Sequence, residues 1–173
     1  MEPPVTPRRH RIAAVLLLTL VLHLTVLSRL TLDGVRPDAL LLVTALAGLA
    51  SGPERGAVTG FVAGVLADLF LPTPFGLSAL TYCLVGFCVG LVQSGILRAA
   101  WWIPVATALV ASAAGTVLFG VLGAMVGQVE FVSPRLAVVA AVAGVMNAAL
   151  APGASRLVNW SYRSGTVDRP LAA

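Results

Sequence analysis

The sequence predicts an all-α membrane protein with about six transmembrane helices packed in one compact bundle. Two observations support this fold class. Of the 173 residues, 58% are apolar and only 10% are charged, an imbalance that soluble domains do not usually carry. The apolar residues also fill nearly the whole length and are not confined to one stripe per helix. Because a helix needs about 20 residues to cross roughly 30 Å of hydrocarbon, residues 12–152 have room for about six crossings.

The first span is predicted over Ile12–Leu32. It follows a proline-containing basic segment, residues 1–11, which we expect to be an irregular cytoplasmic tail. The apolar run is long and lacks a clear small-residue cleavage site, so we expect a retained helix and not a removable signal peptide. His23, near its middle, is expected to hydrogen-bond a neighbour such as Thr19. A second cytoplasmic tail is expected over residues 153–173.

Turn chemistry and membrane-interface residues separate the later spans. Pro37-Asp38 is predicted to open span two, because proline suits the start of a helix and a carboxylate suits the positive end of its dipole. Trp101 and Trp102 are typical of the membrane interface and mark the start of span five. Pro152-Gly153 is expected to end span six. The predicted limits of spans two to six are, in order, Asp38–Ala50, Ala57–Leu71, Leu77–Ser94, Trp101–Gly127 and Leu136–Ala151.

Spans two and three are shorter than a full membrane crossing. Three arrangements fit this length: little tilt, extension of the helices into their turns, or a partly re-entrant pair. In spans five and six, polar side chains at intervals are expected to form hydrogen bonds between helices. These residues are Thr107, Ser112, Thr116 and Asn147.

The arginines predict how the chain is oriented. All eleven basic residues are arginine, and a six-span arrangement with an internal amino terminus distributes them as the positive-inside rule requires. The cytoplasmic side then holds Arg8, Arg9, Arg11, Arg55, Arg98, Arg156, Arg163 and Arg169, and the outside holds Arg29, Arg36 and Arg135. Both termini are therefore expected in the cytoplasm. Because there is no dense basic run, we do not expect nucleic-acid binding.

The sharpest local motif is a glycine at every fourth position, at Gly48, Gly52, Gly56, Gly60 and Gly64. The part from Gly56 to Gly64 lies on one predicted helix, where it forms a smooth face that another backbone can approach closely. Two alternatives remain for this glycine stripe. It packs against another helix of the same chain, which we favour, or it receives a helix of a partner protein.

Asp68 follows Gly64 by four residues and lies close to the same helix face. A carboxylate inside the membrane is costly and is a functional hypothesis by default. The favoured interpretation is structural: pairing with an arginine, accepting hydrogen bonds near Thr73 or Gly76, or capping that loop. A ligand or proton role and an interfacial position without a special role are the alternatives.

Catalytic arrangements are absent from the sequence pattern. There is no Ser–His–Asp order, carboxylate pair, metal-ligand cluster or phosphate-binding loop. Cys83 and Cys88 are five residues apart on one helix and point to different faces. A channel or proton-coupled transporter would need several polar or acidic residues within the membrane, and only Asp68 qualifies. We therefore expect neither an enzyme nor a bound cofactor or metal.

A set of residues between Arg36 and Gly90 shares an order and spacing with a known family. The residues are Pro37-Asp38, Gly52-Pro53, Gly56, Gly60-Phe61, Gly64, Asp68-Leu69, Pro74, Gly76-Leu77-Ser78-Ala79-Leu80 and Gly86. Over this third of the chain, the sequence resembles the MreD family of rod shape-determining proteins. The candidate structural and interface residues carried over from the resemblance are Pro37, Asp38, Gly56, Gly60, Gly64, Asp68 and Gly76.

The resemblance implies a non-catalytic scaffold in the bacterial cytoplasmic membrane. Such a protein binds the membrane-anchored protein MreC and helps couple MreB filaments to peptidoglycan synthesis. RodA and a class B penicillin-binding protein belong to the same assembly. The protein is expected to be embedded in the lipid bilayer.

An alternative function comes from a second likeness, because the MreD fold is similar to the substrate-binding S components of energy-coupling-factor vitamin transporters. S components commonly carry an Ala-x-x-x-Ala pattern on the first helix, whereas Ala13-Ala14 is followed here by bulky residues. They also need an aromatic, polar ligand pocket, and the few aromatic residues of this chain are dispersed. The scaffold is therefore favoured over a small-solute binder.

Overall fold

The computed structural model describes residues 7–32, 34–70, 74–93, 102–128 and 133–162. Within these ranges the chain forms six α-helices, one short 3-10 helix and no strand, which confirms the all-helical fold class. The helices are α1 (Pro7–Thr25), α2 (Ala39–Ser51), α3 (Pro53–Phe70), α4 (Leu77–Gln93), α5 (Ile103–Met125) and α6 (Leu136–Tyr162). Two of them, α5 and α6, are long and apolar enough to cross a membrane.

The amino-terminal helix begins earlier and ends earlier than the sequence predicted. Helix α1 starts at Pro7 because proline is tolerated in the first turn, where a backbone N–H has no partner within the helix. Residues 7–11 of the predicted tail are therefore helical. After Thr25 a 3-10 turn at Leu27–Arg29 follows, and paired backbone hydrogen bonds between Leu32 and Val35 then reverse the chain.

Helix α6 continues through Pro152, so the predicted end at Pro152-Gly153 is wrong. A proline inside a helix removes one backbone hydrogen bond, but tertiary contacts hold the last turns in place. Val158 and Ser161 are each 2% exposed, and the hydroxyls of Tyr162 and Thr59 lie 3.2 Å apart. The predicted carboxy-terminal tail, residues 153–173, consequently begins inside a helix.

The other predicted spans agree more closely with the helices. Helices α2 and α4 begin and end within one residue of the predicted limits, and α5 begins and ends within two residues. Helix α3 starts at Pro53, four residues before the predicted start, directly after Gly52 at φ 90°. Trp102, predicted at the membrane interface, is exposed just before α5. Residues 1–6 and 163–173 of the predicted tails, and Arg98 and Trp101, lie outside the described residues.

Helix α2 is the centre of the bundle and packs against each of the other five helices. Ten of its thirteen residues, Ala39 to Gly48, are buried. A helix surrounded on all sides is apolar all round, which explains why its sequence shows no polar face. Helices α3 and α4 form one closely packed pair beside α2, and α5 and α6 form another.

Both ends of the described chain lie at the same end of the bundle. The guanidinium of Arg11, near the start of α1, lies over the ring of Trp160, near the end of α6. We refer to this end, where α1 begins and α6 ends, as the terminal end, and to the other as the opposite end. The turn between α2 and α3 also lies at the terminal end, since α2 runs back towards it from the loop that follows α1.

Candidate functional site

The glycine stripe of α3 lies directly against α4. A Cβ atom added at Gly56, Gly60 or Gly64 would come closer than 3.0 Å to the backbone of Gly86, Tyr82 or Ala79, respectively. The contact is reciprocal, because a Cβ at Gly86 would meet the carbonyl oxygen of Gly56. Any side chain larger than hydrogen would therefore push the two helices apart.

The same close approach includes α2, because a Cβ at Gly48 would collide with the carbonyl oxygen of Gly86. We call this meeting of α2, α3 and α4 the glycine junction, formed by Gly48, Gly56, Gly60, Gly64 and Gly86. The stripe is thus covered by a helix of the same chain, which is the favoured alternative from the sequence. It offers no free face for a partner's helix.

Asp68 caps the amino terminus of α4. The side chain is 6% exposed, and its carboxylate accepts hydrogen bonds from the backbone N–H groups of Gly76 at 2.8 Å, Ser78 at 3.2 Å and Ala79 at 3.3 Å. The first N–H groups of a helix lack partners within the helix and favour negative charge. These bonds offset the cost of burying the carboxylate.

The cap also explains the glycine at position 76. Gly76 has a φ of 95°, a conformation that residues with a Cβ rarely adopt, and this turn directs its N–H at Asp68. The carboxylate at the end of α3 thereby fixes where α4 begins. Of the interpretations drawn from the sequence, the observed geometry is that of a cap.

A second polar cluster surrounds the start of α2. The side chain of Asp38 accepts the backbone N–H of Leu41 at 3.0 Å, as a helix N-cap does, and the hydroxyl of Tyr82 donates to the same carboxylate. The amide nitrogen of Asn147 donates to the backbone oxygen of Asp38 at 3.0 Å and to Ser112 Oγ at 2.8 Å. These four residues, Asp38, Tyr82, Ser112 and Asn147, form what we call the polar node.

The polar node connects four helices at one point. It joins the first turn of α2 to α4, α5 and α6, and Ser112 and Asn147 are both 0% exposed. Pro37, which precedes the cap, is also fully buried. The interhelical role predicted for Ser112 and Asn147 is confirmed, whereas Thr116 donates to the carbonyl of Ser112 on its own helix.

The second span is short because α2 begins at the polar node, inside the bundle. Asn147 lies eleven residues after Leu136, the first residue of α6, so α6 extends about 16 Å beyond the node at 1.5 Å per residue. Helix α2 therefore begins well inside the bundle. Its thirteen residues cover about 20 Å, and Val35 and Pro37, in the segment before it, are buried as well.

His23 does not form the hydrogen bond predicted from the sequence. The hydroxyl of Thr19 donates to the carbonyl of Val15 at 2.7 Å, because a threonine in a helix easily bonds the carbonyl one turn earlier. His23 Nδ1 is buried without a hydrogen-bond partner among the described residues. The prediction of a Thr19–His23 bond is wrong.

An apolar groove of about 450 Å³ lies between α4 and α5. It forms because α5 packs mainly against α6 and only lightly against α4. Its lining is almost entirely aliphatic and includes small residues. Six of the lining residues are Leu84, Cys88, Val92, Val110, Ala114 and Leu118. Val110 is 63% exposed, so this groove opens to the side of the bundle.

Metal-binding geometry is absent from the part of the chain that the structure describes. No group of three or more His, Cys, Asp or Glu side chains comes together there, and Cys83 and Cys88 are free thiols. The carboxylates of Asp68, which is buried, and of Asp38, which is partly buried, each accept backbone N–H hydrogen bonds at a helix start. Both sites thus organise the fold.

The seven candidate residues lie in or beside the three features described above. Gly56, Gly60 and Gly64 lie in the glycine junction, and Asp68 and Gly76 form the cap at its edge. Asp38 belongs to the polar node, and Pro37 directly precedes it. The sequence interpretation missed Tyr82, although a tyrosine in an apolar helix was a usable signal, since a buried phenol usually finds a hydrogen-bond partner.

Comparison with known proteins identifies the family. The family model described as rod shape-determining protein MreD matches residues 9–151. The chain belongs to the MreD family. It is therefore a membrane protein with a role in rod shape determination. The match extends far beyond Arg36–Gly90, from α1 to the middle of α6, and includes all seven candidate residues.

No curated protein and no solved structure matches the chain. The alternative of a small-solute-binding S component accordingly gains no support. The glycine junction, the Asp68 cap and the polar node are thus features of an MreD protein.

Proposed function

We propose that this MreD protein is a non-catalytic scaffold of the cell-elongation machinery that binds MreC within the bilayer. Through MreC it helps couple MreB filaments to peptidoglycan synthesis, in an assembly with RodA and a class B penicillin-binding protein. Membership of the MreD family supports a role in rod shape determination at the membrane. The observation that carries the binding role is the apolar groove between α4 and α5, which opens to the side of the bundle.

In this proposal all six helices lie in the bacterial cytoplasmic membrane and both termini are cytoplasmic. The contact between Arg11 and Trp160 supports an even number of crossings, because it brings the start of α1 and the end of α6 to one end of the bundle. The excess of arginines predicted at that end supports its cytoplasmic location. The segment before α2, in which Val35 and Pro37 are buried, supplies the length that α2 lacks.

The groove, and not the glycine stripe, is the proposed docking place for the transmembrane helix of MreC. The stripe is filled by α4, whereas the groove presents exposed aliphatic side chains beside small residues such as Ala114. In lipid, helices associate through close van der Waals packing, which small residues allow. A helix lying along α5 would cover Val110 and the neighbouring apolar surface.

Substitution of a single valine tests the docking place. Val110→Trp fills the groove, and Val145→Trp makes the same change on α6, at a position that is 60% exposed compared with 63% for Val110. We expect Val110→Trp to reduce co-purification with membrane-anchored MreC in mild detergent at least tenfold, and Val145→Trp to leave it unchanged. Circular dichroism and size-exclusion chromatography check that both variants are folded.

Equal recovery of MreC with the two folded variants would contradict docking in the groove. Loss of MreC with Val145→Trp alone would move the interface to the outer face of α6. Failure of the wild-type chain to recover MreC at all would overturn the binding role itself.

A further inference from the structure

A cavity of about 370 Å³ lies beside the polar node, towards the opposite end of the bundle. Residues 34–38, which precede α2, form one wall, and the other walls include Tyr82 of α4, Phe119 of α5 and Val139 of α6. Val139 is the fourth residue of α6, so the cavity reaches to within about one turn of the start of that helix. Its volume is in the range of small-ligand pockets, which is about 300–1,000 Å³. We call this space the node cavity.

Two opposite charges line the node cavity, Arg36 and Asp38. Arg36 is exposed and Asp38 is partly buried, and these two described side chains form no ion pair with each other. The carboxylate of Asp38 accepts the N–H of Leu41 on Oδ1 and the hydroxyl of Tyr82 on Oδ2. Because a carboxylate has about four acceptor positions, each oxygen can accept a further hydrogen bond. The cavity thus offers a cation near its mouth and an anion with free acceptor positions further inside.

The polar node contains one more acceptor that its own hydrogen bonds do not use. The amide oxygen of Asn147 is buried without a hydrogen-bond partner among the described residues, whereas its amide nitrogen makes two hydrogen bonds. Asn147 follows Ala143, which lines the node cavity, by one turn of α6. A buried acceptor without a partner is costly. An ammonium group inside the cavity would donate directly to Asp38, and a bridging water could extend its hydrogen bonds to Asn147.

The surface around the opposite end is apolar. Leu30 and Leu32, in the segment after α1, are 51% and 58% exposed, Phe75 before α4 is 72% exposed, and Val138 of α6 is 50% exposed. In a membrane protein, exposed apolar side chains of this kind contact lipid. The headgroup of a lipid can therefore enter the node cavity while its acyl chains stay outside, against these side chains.

We infer that the node cavity binds an ethanolamine phosphate group, supplied as the headgroup of phosphatidylethanolamine. The guanidinium of Arg36 binds the phosphate through charge-assisted hydrogen bonds, and the carboxylate of Asp38 accepts N–H groups of the ammonium. Phosphatidylglycerol has no ammonium group, and the quaternary nitrogen of phosphatidylcholine has no N–H to donate. The site therefore distinguishes these three lipids. This inference needs only the membrane location of the chain and is independent of MreC binding.

Native mass spectrometry of the full chain in mild detergent tests the inference, with the three lipids added at equal concentration. We expect phosphatidylethanolamine to bind about tenfold more tightly than phosphatidylcholine or phosphatidylglycerol. Arg36→Gln should weaken the binding of all three lipids about fivefold, because each carries a phosphate. Asp38→Asn should remove the preference for phosphatidylethanolamine, because an asparagine has no charge to attract the ammonium. Asparagine is as good an N-cap as aspartate, so this variant keeps the cap of α2.

Arg135→Gln is the matched control, because this arginine is exposed at the same end of the bundle but does not line the node cavity, and its loss should leave lipid binding unchanged. Equal binding of the three lipids by the wild-type chain would overturn the inference, as would a preference for phosphatidylethanolamine that survives in Asp38→Asn. Unchanged lipid binding in Arg36→Gln would also overturn it, and the exposed position of Arg36 makes this variant decisive even where Asp38→Asn unfolds. Displacement of phosphatidylethanolamine by an equal concentration of free O-phosphoethanolamine would assign the site to the free compound and overturn the lipid proposal.

Discussion

Replacement of Asp68 by asparagine should destabilise the bundle without changing the size of the side chain. Among the described residues, the carboxylate accepts three backbone N–H groups, two on Oδ2, from Gly76 and Ala79, and one on Oδ1, from Ser78. An asparagine has one acceptor oxygen and one NH2 group. At best the amide oxygen of the asparagine keeps the two hydrogen bonds that Oδ2 now accepts. The backbone N–H of Ser78 then faces the asparagine NH2 group, which is also a donor.

The expected loss in the free energy of unfolding follows from these hydrogen bonds. An unsatisfied buried N–H costs about 1–3 kcal/mol, and the two remaining bonds lose the contribution of the negative charge. We therefore expect a loss of about 2–4 kcal/mol in the free energy of unfolding. For a protein of this size, that corresponds to a decrease of roughly 5–12 °C in Tm.

The assay is thermal unfolding of the detergent-solubilised protein, followed by circular dichroism. Glu54→Gln is the matched control, because it makes the same chemical change on α3 at an exposed position and should alter the free energy of unfolding by less than about 0.5 kcal/mol. If Asp68→Asn and Glu54→Gln unfold at the same temperature, the hydrogen bonds of Asp68 do not hold α4 in place.

Two further substitutions test the glycine junction and the polar node by the same unfolding assay. Gly60→Ala places a Cβ against the carbonyl of Tyr82 and should lower the free energy of unfolding by about 1–3 kcal/mol. Gly153→Ala is the control, because a Cβ at this helical position has nothing within 4 Å. It should leave the free energy of unfolding unchanged or raise it by up to about 1 kcal/mol. Equal effects of the two alanines would contradict the close approach of α3 and α4. Tyr82→Phe removes the donor to Asp38 and should cost about 1–2 kcal/mol, so an unchanged Tm would show that the node does not stabilise the fold.

Local features of the fold could be predicted from the sequence. The helices were identified from apolar length and turn residues, and the cap at Asp38 followed from a carboxylate at the start of a helix, which is a local interaction. The close packing of Gly56, Gly60 and Gly64 was also predictable, because glycine spacing alone produces a smooth face.

The partners of these features could not be predicted in the same way. Glycine spacing on α3 does not specify that α4 is the helix that approaches it. Tertiary contacts also override local signals, as at Pro152, where the burial of Val158 and Ser161 maintains a helix that the proline would be expected to end. The node between Tyr82 and Asp38 joins residues 44 positions apart, a separation at which no local pattern operates.

The arrangement of close contacts divides the bundle into two parts that meet at the polar node. The glycine junction and Asp68 hold α2, α3 and α4 together through backbone contacts and backbone hydrogen bonds. Helices α5 and α6 pack on each other, and Asn147 and Ser112 join them to the start of α2. The groove proposed for MreC lies between these parts, so the polar node fixes how far α5 stands from α4. The bundle thus combines a closely packed helical core with an apolar groove at its side, and the proposed binding of MreC depends on that combination.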